Sequence, residues 1–220
     1  MGRKKKLLIL YILLLIMIPR LCLLPFATFL AIDYDALNEW YFFIGTSLLA
    51  LLAVYLYWPK LKNDWLRKKQ KGIYFIFTGF IGFLMIFLFT LVSLMFFYQG
   101  SFEKSANQTN LENLSHPLIT HLMPLCIVFF GPLLEELIFR GYLFSEIKQK
   151  FSTFPAFLCS VLLFTLIHLN NLQEIQSLFP YFSIGVITTL FYSKENENIY
   201  YPLSIHIMNN LIAQNLIWSQ

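Results

Sequence analysis

The chain alternates long apolar runs with short polar ones. Residues 72–101 contain no Asp, Glu, Lys or Arg, and that run exceeds the ~20 apolar residues a helix needs to cross a bilayer. Residues 7–31, 40–59, 118–147, 151–170, 175–192 and 200–218 read in the same way, so the pattern predicts seven membrane spans. Pro19, Arg20 and Pro25 predict a kink in the first. The stretch 118–147 would be ~45 Å long as one helix, too long for a straight crossing of a ~30 Å hydrocarbon core. Gly131-Pro132 is its expected break, because proline lacks the N–H and restricts the residue before it. Glu135 would then fall in the first turn of a new helix, where free N–H groups favour a carboxylate. The expected fold is an all-α polytopic transmembrane helix bundle of about seven spans, forming a single integral-membrane domain over residues 1–220.

Composition agrees: 58% of residues are hydrophobic and 13% charged, against roughly half and a quarter in soluble domains. A water-soluble enzyme is excluded. The net charge of +4 does not point to nucleic acid, since the cations cluster between apolar runs, at Lys4 to Lys6, across residues 60–71 and at Lys148 and Lys150. There they fit an anionic lipid surface and the insertion bias that keeps basic loops inside. The N-terminus is therefore expected in the cytoplasm of a multi-pass cell-membrane protein, with residues 7–18 a retained span rather than a cleaved signal, and residues 98–117 an external loop. The glycosylation-like triplets at Asn107 and Asn113 carry no weight in a bacterial cell, and His116 and His121 read as interfacial residues. Cys22, Cys126 and Cys159 sit in apolar segments without metal-type spacing and read as small buried side chains. Arg20 reads as a cation snorkelling from a helix break.

The candidate chemistry lies in the second half. Residues 131–141, Gly-Pro-Leu-Leu-Glu-Glu-Leu-Ile-Phe-Arg-Gly, put two carboxylates and a guanidinium among apolar residues, where each charge costs at least ~2.5 kcal/mol. Glu136 and Arg140 stand at i and i+4 and can neutralise each other, whereas Glu135 is rotated by about 100° and is free. Two further pairs share a helix face, Phe164 with His168 and His206 with Asn210. Counted from a turn near Phe151, Glu135 and His168 come to nearly the same depth in an antiparallel helix pair. His206, only about seven residues into its span, is predicted to be shallower. Each group has a structural reading of its own: an interhelical histidine, an ion pair, a packing amide at Asn209. Together they make one acid-base group, two titratable partners and an electrophile stabiliser.

Glu135-Glu136-x-x-x-Arg140, Phe164-x-x-x-His168 and His206-x-x-x-Asn210, in that order on successive apolar segments, resemble the three motifs of the CPBP family, the CAAX-processing and bacteriocin-processing intramembrane proteases. The resemblance covers about residues 118–216. It implies peptide hydrolysis at or within the membrane, with Glu135 as general base assisted by His168, and His206 with Asn210 binding the oxyanion. Glu136, Arg140 and Phe164 would support them. The substrate would be a membrane-associated, prenylated or bacteriocin-like peptide or a membrane protein. No cofactor is expected on this reading; the alternative is a zinc ion held by Glu135, His168 and His206, the His2Glu set of catalytic zinc sites. A non-catalytic bacteriocin-immunity or peptide-binding protein is the competing reading. A transporter is a third, weakened by the lack of paired, inverted broken segments.

Overall fold

A computed structural model describes residues 2–68, 72–98, 114, 117–169 and 178–218. The side chain of Arg20, both glycosylation-like triplets and His116 lie outside that description. Among the described residues all regular structure is helical. The first helix, α1 (Arg3–Tyr11), continues through two widened stretches, Ile12–Met17 and Pro19–Leu23, into α2 (Leu24–Leu30). This run bends by 53°, where Pro19 and Pro25 remove backbone donors. Then follow α3 (Tyr34–Lys68) and α4 (Gly72–Tyr98). Next come α5 (Pro117–Leu125), α6 (Gly131–Ile138), α7 (Ser145–Lys150), α8 (Thr153–Ile167), α9 (Leu178–Lys194) and α10 (Tyr200–Trp218).

Among the described residues three helices are long and apolar enough to cross a membrane, Tyr34–Arg67, Ile73–Phe96 and Pro117–Lys150, or four if the bent N-terminal pair is one span. The others expected from the sequence form as shorter helices. With 15 residues, α8 reaches only ~22 Å, less than a full hydrocarbon core. The outer faces of α3 and α4 are apolar and open, with Leu48, Leu51, Ile76, Phe77, Phe87 and Phe96 all exposed. A soluble protein would not tolerate so continuous an apolar surface, and this is a membrane protein.

The break expected at Gly131-Pro132 takes the form of a wide turn. Residues 126–130 widen to π geometry and the helix runs on to Lys150, so Glu135 lies inside a continuous helix and not at a helix start. A second widened stretch, Phe139–Phe144, continues the run of buried residues that begins at Glu136, through Phe139, Arg140 and Gly141.

The centre of the bundle is α6. Leu134, Leu137 and Ile138 pack there with Ala50, Ala53 and Tyr57 of α3, Phe164 of α8, Ile184 and Ile187 of α9 and Ile205 of α10. Small residues allow the close approaches: a Cβ on Gly141 would stand 3.2 Å from the Tyr57 ring, and one on Gly82 of α4 would meet three side-chain atoms of Ile205 at 2.4, 2.6 and 2.7 Å.

Candidate active site

The two adjacent glutamates on α6 face different neighbours, as their angular separation requires. Glu136 is fully buried with Arg140. Its Oε1 accepts from Arg140 Nη1 at 3.1 Å and from His206 Nδ1 at 2.9 Å. The guanidinium spreads its remaining donors over α9: Nη2 to the Gly185 carbonyl at 3.2 Å and to Thr188 Oγ1 at 2.6 Å, and Nε to Thr189 Oγ1 at 3.3 Å. Both threonines send their own hydroxyl hydrogens back to α9 carbonyls, which leaves their lone pairs to Arg140. Phe164 closes the far side, its ring 4.6 Å from the guanidinium. Arg140 thus finds four acceptors, while the second Glu136 oxygen, Oε2, is sealed and makes no hydrogen bond among the described residues.

Glu135 looks into a partly open space, its side chain 17% exposed. Its Oε1 stands 3.8 Å from His168 Nε2 and its Oε2 stands 3.8 Å from His206 Nε2. The tautomers follow from the partners on the other ring nitrogens. His168 Nδ1 lies 2.7 Å from the Phe164 carbonyl, which can only accept, so the proton sits on Nδ1. His206 Nδ1 likewise donates to the Glu136 carboxylate. In their neutral forms both rings therefore turn a lone pair toward a carboxylate, across gaps too long for a hydrogen bond and short enough for one water to bridge.

Packing holds this arrangement. Phe164 is fully buried and touches both imidazoles, at ring separations of 4.7 Å to His168 and 5.8 Å to His206. Tyr181 stacks on the outer face of His168 at 4.3 Å. Asn210 does different work: its Nδ2 donates to the Ile127 carbonyl at 2.9 Å, and its Oδ1 accepts from Asn209 at 3.2 Å. Ile127 lies five residues before Pro132, the register of a π turn, so proline's missing N–H leaves a carbonyl there and Asn210 supplies the donor. The second Asn210 N–H stays available. His121 is exposed and bonds the carbonyl of Pro117 on its own helix. Cys126 and Cys159 lie within the bundle, while Cys22 is exposed rather than buried.

The depth of His206 is explained by Asp64 of α3, which is 1% exposed. It accepts the Ile199 N–H at 3.0 Å and pairs with Lys60 at 3.1 Å and with Arg67. The Asp64 carbonyl accepts the Asn198 amide at 3.0 Å. Lys60 also donates to the Glu197 carbonyl, and Lys148 pairs with the Glu197 carboxylate. The 195–199 loop is thus drawn in against α3, and α10 begins deep enough for its second turn to reach α6.

Asp64, Gly185, Thr188 and Thr189 were not among the residues singled out from sequence. Their only local signal is polarity inside apolar helices, which does not name a partner. The donors of a His2Glu zinc set do face one another at Glu135, yet among the described residues no group of three His, Cys, Asp or Glu side chains has the spacing to hold a metal ion.

Known proteins are similar to this chain over part of its length. The chain is 28% identical over 173 residues to the membrane-embedded CAAX protease MroQ of Staphylococcus aureus, covering 74% of this chain and 68% of that protein. It is 30% identical over 95 residues to YdiL of Bacillus subtilis, covering 42% of this chain and 37% of that one. It is 38% identical over 86 residues to the UPF0177 protein YxdF of Lactococcus lactis, covering 39% and 45%. The matches thus span between about a third and two thirds of these relatives. No solved structure matches. The model for type II CAAX prenyl endopeptidases of the Rce1-like kind matches residues 117–212, which include every polar residue from Glu135 to Asn210 described above, and through this segment the chain is similar to that family.

Proposed function

We propose that this chain is an intramembrane endopeptidase that hydrolyses a peptide bond of a membrane-associated peptide with a water activated by Glu135. One observation carries the reading: both Glu135 oxygens face imidazole nitrogens at 3.8 Å. Each neutral ring turns a lone pair toward them, so the cluster is short of protons. A water seated there gives one hydrogen to Glu135 and the other to His168, and keeps an oxygen lone pair for attack.

As that oxygen bonds to the scissile carbonyl carbon, Glu135 takes its proton and the carbonyl oxygen becomes an oxyanion. The donors assigned to it are the free Asn210 N–H and His206, whose Nε2 lone pair first takes up a proton from solvent, so that it donates through the step and keeps that proton for the next cycle. Glu135 then gives the proton to the amide nitrogen as the C–N bond breaks. One water is consumed, and an acid and an amine leave. Glu136 and Arg140 hold the His206 ring, and Phe164 fixes the plane of both imidazoles.

The family match makes a prenylated C-terminal CAAX peptide the first substrate class to try. The N-terminus is assigned to the cytoplasm, because Arg3, Lys4, Lys5 and Lys150 gather around one cavity of about 1060 Å³ at a single end of the bundle. The test is cleavage of an internally quenched farnesylated CAAX peptide by the purified chain in detergent. Glu135→Gln should reduce the rate by roughly 10²–10⁴-fold, with His168→Ala also strongly impaired and melting temperatures unchanged. Full activity in Glu135→Gln would remove Glu135 as the water-activating group, and no cleavage by the parent chain would leave the peptide-binding or immunity reading in its place.

A further inference from the structure

The polar line on α10 continues past the residues used above. His206, Asn210 and Gln214 follow one another at successive turns, and the first two have partners on α6 and at Ile127. Gln214 has none. It is 7% exposed, both its Oε1 and Nε2 are sealed from solvent, and neither makes a hydrogen bond among the described residues. The neighbouring Asn215 folds back onto the Leu211 carbonyl at 2.7 Å; Gln214 does not take that local option. A buried amide with both ends unmet is costly and rare, and it is tolerated where a ligand completes it.

We infer that Gln214 binds the main chain of the substrate peptide, pairing with one backbone N–H and C=O at a distance from the bond that is cut. A primary amide presents an acceptor and a donor side by side, which is the complement of an extended peptide unit. Eight residues of helix place Gln214 ~12 Å along α10 from His206. An extended peptide covers ~12 Å in three to four residues, so the contact falls on the third or fourth residue from the scissile bond. The inference rests on the reading of Glu135 as the water-activating group, and gives that site its demand for substrate length. Because the contact is to main chain, it selects an extended conformation and tolerates varied side chains.

The test uses the full chain in detergent and its Gln214→Leu and Gln214→Met forms. The probes are the quenched farnesylated CAAX peptide at full length and two versions cut back in turn to two residues on either side of the scissile bond. Expected results are a KM about tenfold higher on the long peptide, kcat within about twofold, and no change for the truncated peptide that no longer reaches Gln214. The melting temperature should stay level or rise, since an unmet buried amide has been removed. A lower melting temperature in both variants would show an internal partner and overturn the inference. So would an unchanged KM on the long peptide, or an equal loss on all three probes. Failure of the unsubstituted chain to cleave any probe would instead overturn the reading of the Glu135 site, and this inference with it.

Discussion

His206 bridges two adjacent carboxylates: its Nδ1 lies 2.9 Å from Glu136 Oε1 while its Nε2 stands 3.8 Å from Glu135 Oε2. The buried Glu136 and Arg140 therefore do more than neutralise each other. They set which ring nitrogen of His206 carries a proton and which way the ring faces, while Arg140 fastens α6 to α9 through Gly185, Thr188 and Thr189.

Substitutions at that pair should separate stability from activity. Arg140→Lys keeps the charge but cannot reach Glu136 and three α9 acceptors at once, and a cost of roughly 1–3 kcal/mol is expected for the buried acceptors left unmet. The double substitution Glu136→Leu with Arg140→Met removes both charges and should recover much of the thermal stability. Cleavage should stay low, because His206 has lost the acceptor that orients it. Melting curves and rates on the same preparations check this; recovery of activity together with stability would assign the pair a purely structural role.

Gly82 lies far from the chemistry in sequence and controls it through packing. Alanine there would drive its Cβ to within 2.4 to 2.7 Å of Ile205, a β-branched, fully buried side chain next to His206. Gly82→Ala should cost about 1–3 kcal/mol by overpacking and displace α10 enough to lower turnover. Adding Ile205→Ala to Gly82→Ala should restore part of both. Gly82→Ala with unaltered stability and rate would show that α4 and α10 pack less tightly than described.

Asp64 is expected to act on the site through the depth of α10. Asp64→Ala leaves the Ile199 N–H without its acceptor and frees Lys60 and Arg67. Lys60 and Arg67 are partly exposed, so most of the expected loss of about 1–3 kcal/mol comes from the buried hydrogen bond. The 195–199 loop should become cleavable by trypsin at Lys194, and peptide hydrolysis should fall. Asp64→Asn, which can still accept from Ile199, should lie between Asp64→Ala and the parent chain.

Metal dependence has a direct readout. Cleavage of the farnesylated peptide should persist after treatment with a strong chelator and dialysis. Loss of activity that returns with zinc alone would assign Glu135, His168 and His206 to a His2Glu zinc centre, with the Phe164 carbonyl and Glu136 as the groups that orient its imidazoles.

Sequence alone determined the class of the molecule, because twenty or so consecutive apolar residues have one stable disposition, a helix in lipid. It also determined the pairing of Glu136 with Arg140, since residues four apart on a helix must be neighbours. The nearness of Glu135 to His168 was legible from equal chain lengths on either side of the turn at Phe151. The partners of Arg140 on α9, the bond from His206 to Glu136 rather than to Glu135, and the use of Asn210 on the Ile127 carbonyl were decided only by the tertiary structure. Each depends on how far one helix slides or rotates against another, and that offset was set by features with no local signature: two π turns that redirect side chains, and a loop drawn in by Asp64 more than 130 residues away.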